Sequence, residues 1–381
     1  MKKSLSLLLA LTLTAALTGC SGSQTAQTFA AAQTTAQAAE TESPETEAAG
    51  TEAPETKTEE TEAANAEAPG AEGAEASSAI TPEDVTVRVG SLKGPTSMGL
   101  VHLMDQSEKG AAGNSYEFTM VAAADELLAK VASKELDVAL VPANVASVLY
   151  SKTEGGISVI DINTLGVLDI VASDDSIKSI TDLKGKTVYM TGKGTTPDYV
   201  FHYLLSANGM AEGDLTLEFK SEAAEVAAVL KEQPDAIGLL PQPFVTAACM
   251  QNEALQIVLD LTKEWQAVQG EHGSQLVTGV TIVRNDFLSE NPNAVSLFLE
   301  EHKASAEFAN TNADEASELI AALGIIEKAP IAKKALPYCN ITCLTGEEMK
   351  TALSGYLQVL FDQDPKSVGG KLPEDSFYYI P

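Results

Sequence analysis

Basic residues are scarce in this chain of 381 residues, with 24 Lys and Arg against 54 Asp and Glu, for a formal net charge of −30. Nucleic acids are held by clustered Lys and Arg that release counterions, so this balance argues against a nucleic-acid partner. Aromatic residues make up 5%, Trp occurs once, and there are 4 His and 4 Cys. So few cysteines specify no disulfide framework. The fingerprints of nucleotide and acyl-transfer chemistry are missing too. Gly192 and Gly194 lack the third Gly of a dinucleotide loop. There is no Gly-x-x-x-x-Gly-Lys-Ser/Thr phosphate loop, since Gly185-Lys186-Thr187 has Ile180 where the first Gly would stand, and no Gly-x-Ser-x-Gly elbow. Asp125 and Asp137 read as a helix cap and a strand start rather than as an acid and base pair. The expectation is therefore a protein that is not an enzyme, with no cofactor and no metal.

No apolar run reaches the roughly 20 residues that cross a bilayer. The apolar run at residues 5–17 is shorter, follows Lys2 and Lys3, and ends at Leu17, Thr18, Gly19 and Cys20. Residues 1–20 read as an export signal whose end resembles a bacterial lipobox, which implies lipid attached to Cys20. Residues 21–81 are Ala, Thr and Glu with Pro44, Pro54 and Pro69, and carry 12 Glu with Lys57 as the one basic residue. Such a segment buries too little apolar surface to offset its ordering entropy, so a disordered stalk is expected, spanning on the order of 40 Å. With Cys20 assigned to lipid, Cys249, Cys339 and Cys343 remain. Cys339 and Cys343 are close enough to pair if the backbone turns, and two small buried residues are the alternative. Zinc would need further ligands, and none of His102, His202, His272 and His302 is near them in sequence.

The body reads as α/β. Val85, Val87 and Val89 alternate with polar residues, then come Gly94, Pro95, Thr96 and Ser97, then a helical pattern through Met98, Val101 and Met104. A strand near Tyr116, a helix from Asp125 and a buried strand from Asp137 to Pro142 follow. The same grammar returns with a strand at residues 187–191, the loop Gly192 to Pro197, a strand near Leu215, a helix from Glu222, and a strand from Asp235 to Pro241. Gly94 and Gly194, like Pro142 and Pro241, recur almost in step, which points to two lobes built alike. The expected fold is α/β with mixed, mostly parallel sheets and a central ligand cleft. Lobe 1 is assigned to 82–173 plus 276–381 and lobe 2 to 174–275, with apolar runs at 157–163, 165–173 and 276–284 as crossing strands and a helical tail at 293–361.

In open α/β sheets ligands bind beyond the carboxyl ends of strands. That places Lys93, Gly94, Pro95, Thr96 and Ser97 of one loop opposite Thr191, Gly192, Gly194, Thr195 and Thr196 of the other. Gly permits close backbone approach, and hydroxyls at helix N-termini suit an acceptor-rich group. Asn144, Pro241 and Gln242 follow the third strand of each unit, with Phe244 beside them. Each loop alone also fits a plain capped helix start. Trp265 reads either as a ring stacked on ligand or as a core anchor.

These features are similar to those of the substrate-binding lipoproteins of ABC importers, and more closely to the nitrate, sulfonate, taurine and thiamine-precursor group of type II periplasmic-binding proteins. The resemblance rests on the Gly94-Pro95-Thr96 loop, on Glu135 to Pro142, on Ile180-Thr-Asp182-Leu-Lys-Gly185-Lys-Thr-Val188, on Pro241 to Phe244 and on Val283 to Pro292. It implies an extracytoplasmic, lipid-anchored monomer. Such a protein captures a small organic or oxyanion ligand between its lobes and delivers it to a membrane permease. A pyrimidine-synthase-like enzyme on the same fold is one alternative, though the chain has no Cys cluster of that kind. A tethered sensor or adhesion module is another.

Overall fold

The computed structural model describes residues 84–381 apart from 212, 271 and 272. The expected export signal, stalk and lipid-bearing Cys20 lie outside the described residues.

Eleven strands form two sheets. β1 (Thr86–Leu92), β2 (Ser115–Val121) and β3 (Val138–Pro142) alternate with helices, as do β6 (Thr187–Met190), β7 (Thr216–Phe219) and β8 (Ile237–Pro241). Between these sets run β4 (Ile157–Leu165) and β5 (Leu168–Ala172), and after them β9 (Gln256–Asp260), β10 (Val277–Arg284) and β11 (Ile341–Leu344). The first sheet has the order β11-β4-β10-β3-β1-β2 and the second β7-β6-β8-β5-β9. In each, the middle strand of the set pairs parallel with its two partners (β1 with β2 and β3, β6 with β7 and β8). An antiparallel strand from outside the set then joins the far side, β10 on β3 and β5 on β8. The two sheets thus repeat one topology, with parallel pairing inside each repeat and antiparallel pairing by β4, β5, β9, β10 and β11. The sheets are therefore mixed but not mostly parallel as expected, because each strand added outside a repeat pairs antiparallel with its neighbour.

Local sequence explains the placement. β3 and β8 read Val-Ala-Leu-Val-Pro and Ile-Gly-Leu-Leu-Pro, apolar on both faces and buried over their first four residues, as central strands require. Pro ends each without costing a ladder bond at the centre. Asp137, just before β3, is buried and accepts hydrogen bonds from Arg88 Nη2 at 2.6 Å and Arg284 Nη2 at 2.8 Å. Burial pushes its pKa up, but the hydrogen bonds from Arg88 and Arg284 outweigh burial and hold it below the ordinary value.

The chain passes between the sheets earlier than residue 174. β4 keeps its pairing with β10 to Leu165, while β5 pairs with β8 from Leu168, so the crossing is made by Gly166 and Val167. A Cβ at Gly166 would lie 2.2 Å from Thr262 Oγ1 and 2.9 Å from Leu276 Cδ2, so any larger residue would have to displace Thr262 where the crossing segment meets the returning one. The tail is helical at Pro292–Thr311, Ala313–Ala322, Ala329–Ala335 and Gly346–Gln363, but β11 interrupts it as an edge strand of the first sheet. Pro337 and the β-branched Ile341 and Thr342 account for that break. One apolar core contains Val141, Ile162 and Val280 of the first sheet with Ile170, Val188 and Leu239 of the second.

Candidate functional site

The carboxyl ends of the parallel strands of both sheets face a shared cavity of 390 Å³. From the first sheet come Leu92, Lys93, Pro142 and Ala122 to Ala124; from the second come Thr191 to Lys193, Thr195, Lys220 to Ala223, Pro241 and Phe244. Two helices begin at its wall, Ala124–Ala132 and Ala223–Glu232. Their N-cap residues, Ala123 and Glu222, make no side-chain capping bond, although Glu222 O accepts from Glu225 N at 3.0 Å, and the first turns carry Asp125, Glu126 and Glu225. Three lysines, Lys93, Lys193 and Lys220, line the cavity against a single carboxylate, Glu222. In a chain with net charge −30 this is a local reversal of sign. Lys193 Nζ lies 5.5 Å from the Phe219 ring centroid and Lys220 Nζ 5.3 Å from that of Tyr189, two rings just outside the cavity lining. A broader depression of 1030 Å³ lies at the opposite, amino ends of β6 and β8 and is rich in Asp174, Asp175, Glu232 and Asp235. Its position and sign both set it apart from the shared cavity.

The residues expected at the site divide into two groups. Lys93, Thr191, Gly192, Thr195 and Pro241 line the cavity. Gly192 has φ 78°, and a Cβ there would press on Thr195 Oγ1 at 2.7 Å, so Gly sets the turn that brings this loop in. Gly94, Pro95, Thr96, Ser97, Asn144, Gly194, Thr196 and Gln242 are not part of its lining. The Thr96 and Ser97 hydroxyls both turn back to Leu92 O, at 2.9 and 2.6 Å, and satisfy the end of β1. Gln242 Nε2 donates to Asp169 Oδ2 at 3.2 Å, and its Oε1 accepts from Thr246 Oγ1 at 2.8 Å, which draws it behind β8. Asn144 Nδ2 donates to Ser367 O at 3.2 Å and reaches Gly194 O at 3.4 Å. Thr196, 1% exposed, points its hydroxyl at Thr278 O and Asn144 Oδ1. Asn144 and Thr196 thus form a polar seam between the first-sheet helix Ala143–Lys152 and the second-sheet helix Thr196–Ala207.

Sequence reasoning missed Ala122, Ala123, Lys220 and Glu222. Alanine carries no chemical signal, but a signal was present in the repeat, since Ala123 and Glu222 stand in the same step as Pro142 and Pro241. Trp265 resolves as a core residue. It is fully buried, donates from Nε1 to Ser274 O at 2.7 Å, and has Tyr203 and Tyr356 rings at 4.8 and 5.6 Å.

Asp169, held by Gln242, stands opposite Asp260 in the β5–β9 ladder. Burial first, and the Asp260 charge second, push its carboxyl up to about 7. A carboxyl raised in the folded state adds stability below its unfolded value, and that stability is lost as pH rises to about 7. Asp169→Asn keeps an acceptor for Gln242 and removes the charge. It is expected to raise the melting temperature at pH 8 and leave it nearly unchanged at pH 4, as measured by parallel thermal scans. A variant no more stable than wild type at pH 8 would show that Asp169 is not held against its charge.

Among the described residues, no helix is long and apolar enough to cross a membrane. A family model with the description NMT1/THI5 like matches residues 124–316, about half of the chain. A binding protein of Brucella abortus (strain 2308) is 25% identical over 201 residues, which are 53% of this chain and 59% of the relative. The chain therefore spans less than two thirds of the length of the curated relatives it matches. An ABC transporter structure from Parabacteroides distasonis superposes with a TM-score of 0.65 at 22% identity, covering 78% of this chain and 99% of the other. The periplasmic aliphatic sulphonate binding protein SsuA from Escherichia coli superposes with a TM-score of 0.62 at 16% identity, covering 78% and 92%. These likenesses establish the fold that the repeated topology describes.

Proposed function

The chain belongs to the NMT1/THI5-like family, and we propose that it is the solute-binding component of an ABC importer whose ligand is a small organic anion. The observation that carries this reading is the inverted charge of the cavity, three lysines against one carboxylate inside an acidic protein, beside two helix starts that lack side-chain caps. Partial positive charge at helix N-termini adds to the lysines and favours a sulfonate, carboxylate or similar head group. The cavity volume of 390 Å³ is larger than a bare nitrate needs, and Leu92, Pro142, Pro241 and Phe244 supply apolar wall for an organic tail. An alkanesulfonate fits both features, and the E. coli protein of this fold is named for that class.

In this reading the two sheets are the centres of two lobes, now divided at Gly166 and Val167 rather than at residue 174. Ligand selects the closed arrangement, with the Asn144 and Thr196 seam made across it. Residues 1–20 then act as an export signal, Cys20 carries lipid, and residues 21–81 tether an extracytoplasmic monomer to the membrane that holds the permease.

A thermal-shift series with short alkanesulfonates, nitrate, bicarbonate and a neutral pyrimidine tests this. An alkanesulfonate at about 100 times its Kd should stabilise the fold by about 2.7 kcal/mol. Lys93→Ala and Lys193→Ala should each weaken its affinity about tenfold, the scale of one hydrogen bond to a charged group. A shift produced by the neutral pyrimidine alone would overturn the anion reading.

A further inference from the structure

Away from the cavity, three side chains that sequence spacing keeps apart are brought together under the first sheet. Asp161 comes from β4, Cys343 from β11, and His302 from the long helix Pro292–Thr311. One donor atom from each lies within 4.8 Å of the other two. Asp161 and His302 are fully buried, and Cys343 is a free thiol. The β11–β4 ladder is irregular between Ile341 and Leu344, the segment that carries Cys343, and such irregularities re-aim side chains.

The bonding within this group is incomplete. His302 Nδ1 lies 3.1 Å from Asp161 Oδ2. His302 Nε2 is buried with no hydrogen-bond partner, which is costly for an imidazole nitrogen in an apolar core. Asp161 Oδ1 accepts from Thr281 Oγ1 at 2.8 Å, and Asn163 Nδ2 donates to Thr281 at 3.1 Å. The carboxylate is therefore oriented by outer partners, as carboxylates at metal centres are.

We infer that Asp161, His302 and Cys343 form a buried site for a thiophilic divalent cation of the Zn²⁺ class, distinct from the solute cavity. Imidazole, thiolate and carboxylate are the donors such a cation takes, at about 2.0–2.3 Å, with a fourth position left to water. Donors around one tetrahedral ion stand about 3.3–3.8 Å apart, so rotation of the three side chains closes the gap from the present spacing. One carboxylate and one thiolate cancel a divalent charge, which leaves the site neutral within the core. The thiol gives its proton to solvent when the cation binds, so affinity rises with pH. The same three residues could be taken for a nucleophile with its base and orienting acid. Burial opposes that role, because a nucleophilic thiol needs exposure and a lowered pKa, whereas burial raises that of Cys343.

The test uses the full chain, stripped with chelator, equilibrated with Zn²⁺ or Co²⁺ and freed of excess metal. One tightly held ion per chain is expected, and the Co²⁺ form should show thiolate-to-metal charge-transfer absorption. Cys343→Ser should abolish that absorption, while Cys339→Ser, whose sulfur hydrogen-bonds to Ala335 O, and Cys249→Ser should keep it. Should Cys343→Ser fail to fold by circular dichroism, alkylation of the wild-type chain with peptide mapping decides. Zn²⁺ should then protect Cys343 and leave Cys249 as reactive as before. Loss of all metal from the wild type, unchanged absorption in a folded Cys343→Ser, or no protection of Cys343 would each overturn the site.

Discussion

Ala123→Trp is expected to weaken ligand capture at least about a hundredfold, or about 2.7 kcal/mol, while leaving the fold intact. Ala123 is exposed on the cavity wall, and its φ of −121° and ψ of 136° suit any residue. An indole there occupies the space in front of both helix starts without entering the core. Substitutions at exposed positions of this kind usually change stability by no more than about 0.5 kcal/mol. Thr196→Trp supplies the contrast. At 1% exposure it has no room, and overpacking of about 1–3 kcal/mol adds to loss of the seam with Asn144 and Thr278. Calorimetric titration with an alkanesulfonate, alongside melting curves for both variants, gives a clean reading. If Ala123→Trp binds as wild type does and Thr196→Trp loses binding at unchanged stability, the ligand sits in the seam and the cavity is not the site.

That contrast marks where sequence reading succeeded and where it stopped. The repeated strand and helix order, the prolines ending β3 and β8 and the apolar crossing strands were legible because periodicity and burial share one cause. The loops were legible too, since Gly192 is required by backbone geometry that no other residue meets cheaply. The direction of a hydroxyl was not. Thr96 and Ser97 sit at the right strand end, yet the carbonyl of Leu92 needs partners and takes both. Gln242 likewise answers the buried Asp169 rather than a ligand. Residues distant in sequence were invisible as groups. Cys343 had no histidine nearby along the chain, yet the helix that covers the first sheet sets His302 beside it.

Trp265→Ala is expected to cost about 3–5 kcal/mol, a large share of the stability of an ordinary domain. The indole is fully buried, and its truncation leaves a cavity between the Tyr203 and Tyr356 rings and removes the donor to Ser274 O. Its position makes the loss more than local. Trp265 lies on the helix Leu261–Gln269 that follows β9, Tyr203 on the second-sheet helix Thr196–Ala207, and Tyr356 on Gly346–Gln363, which packs against β4 and β10 of the first sheet. The indole is thus a pin between elements of both sheets, close to Thr262, which fills the space at the Gly166 crossing. Denaturant unfolding followed by circular dichroism should show a lower midpoint and a broadened or split transition, because the two sheets lose part of their common core. A single transition shifted by less than about 1 kcal/mol would show that the surrounding rings collapse onto the gap and that the pin is dispensable. If the pin holds, ligand affinity should fall in the same variant although Trp265 lies outside the cavity lining, because a looser junction lowers the population of the arrangement in which both sets of lysines face one ligand.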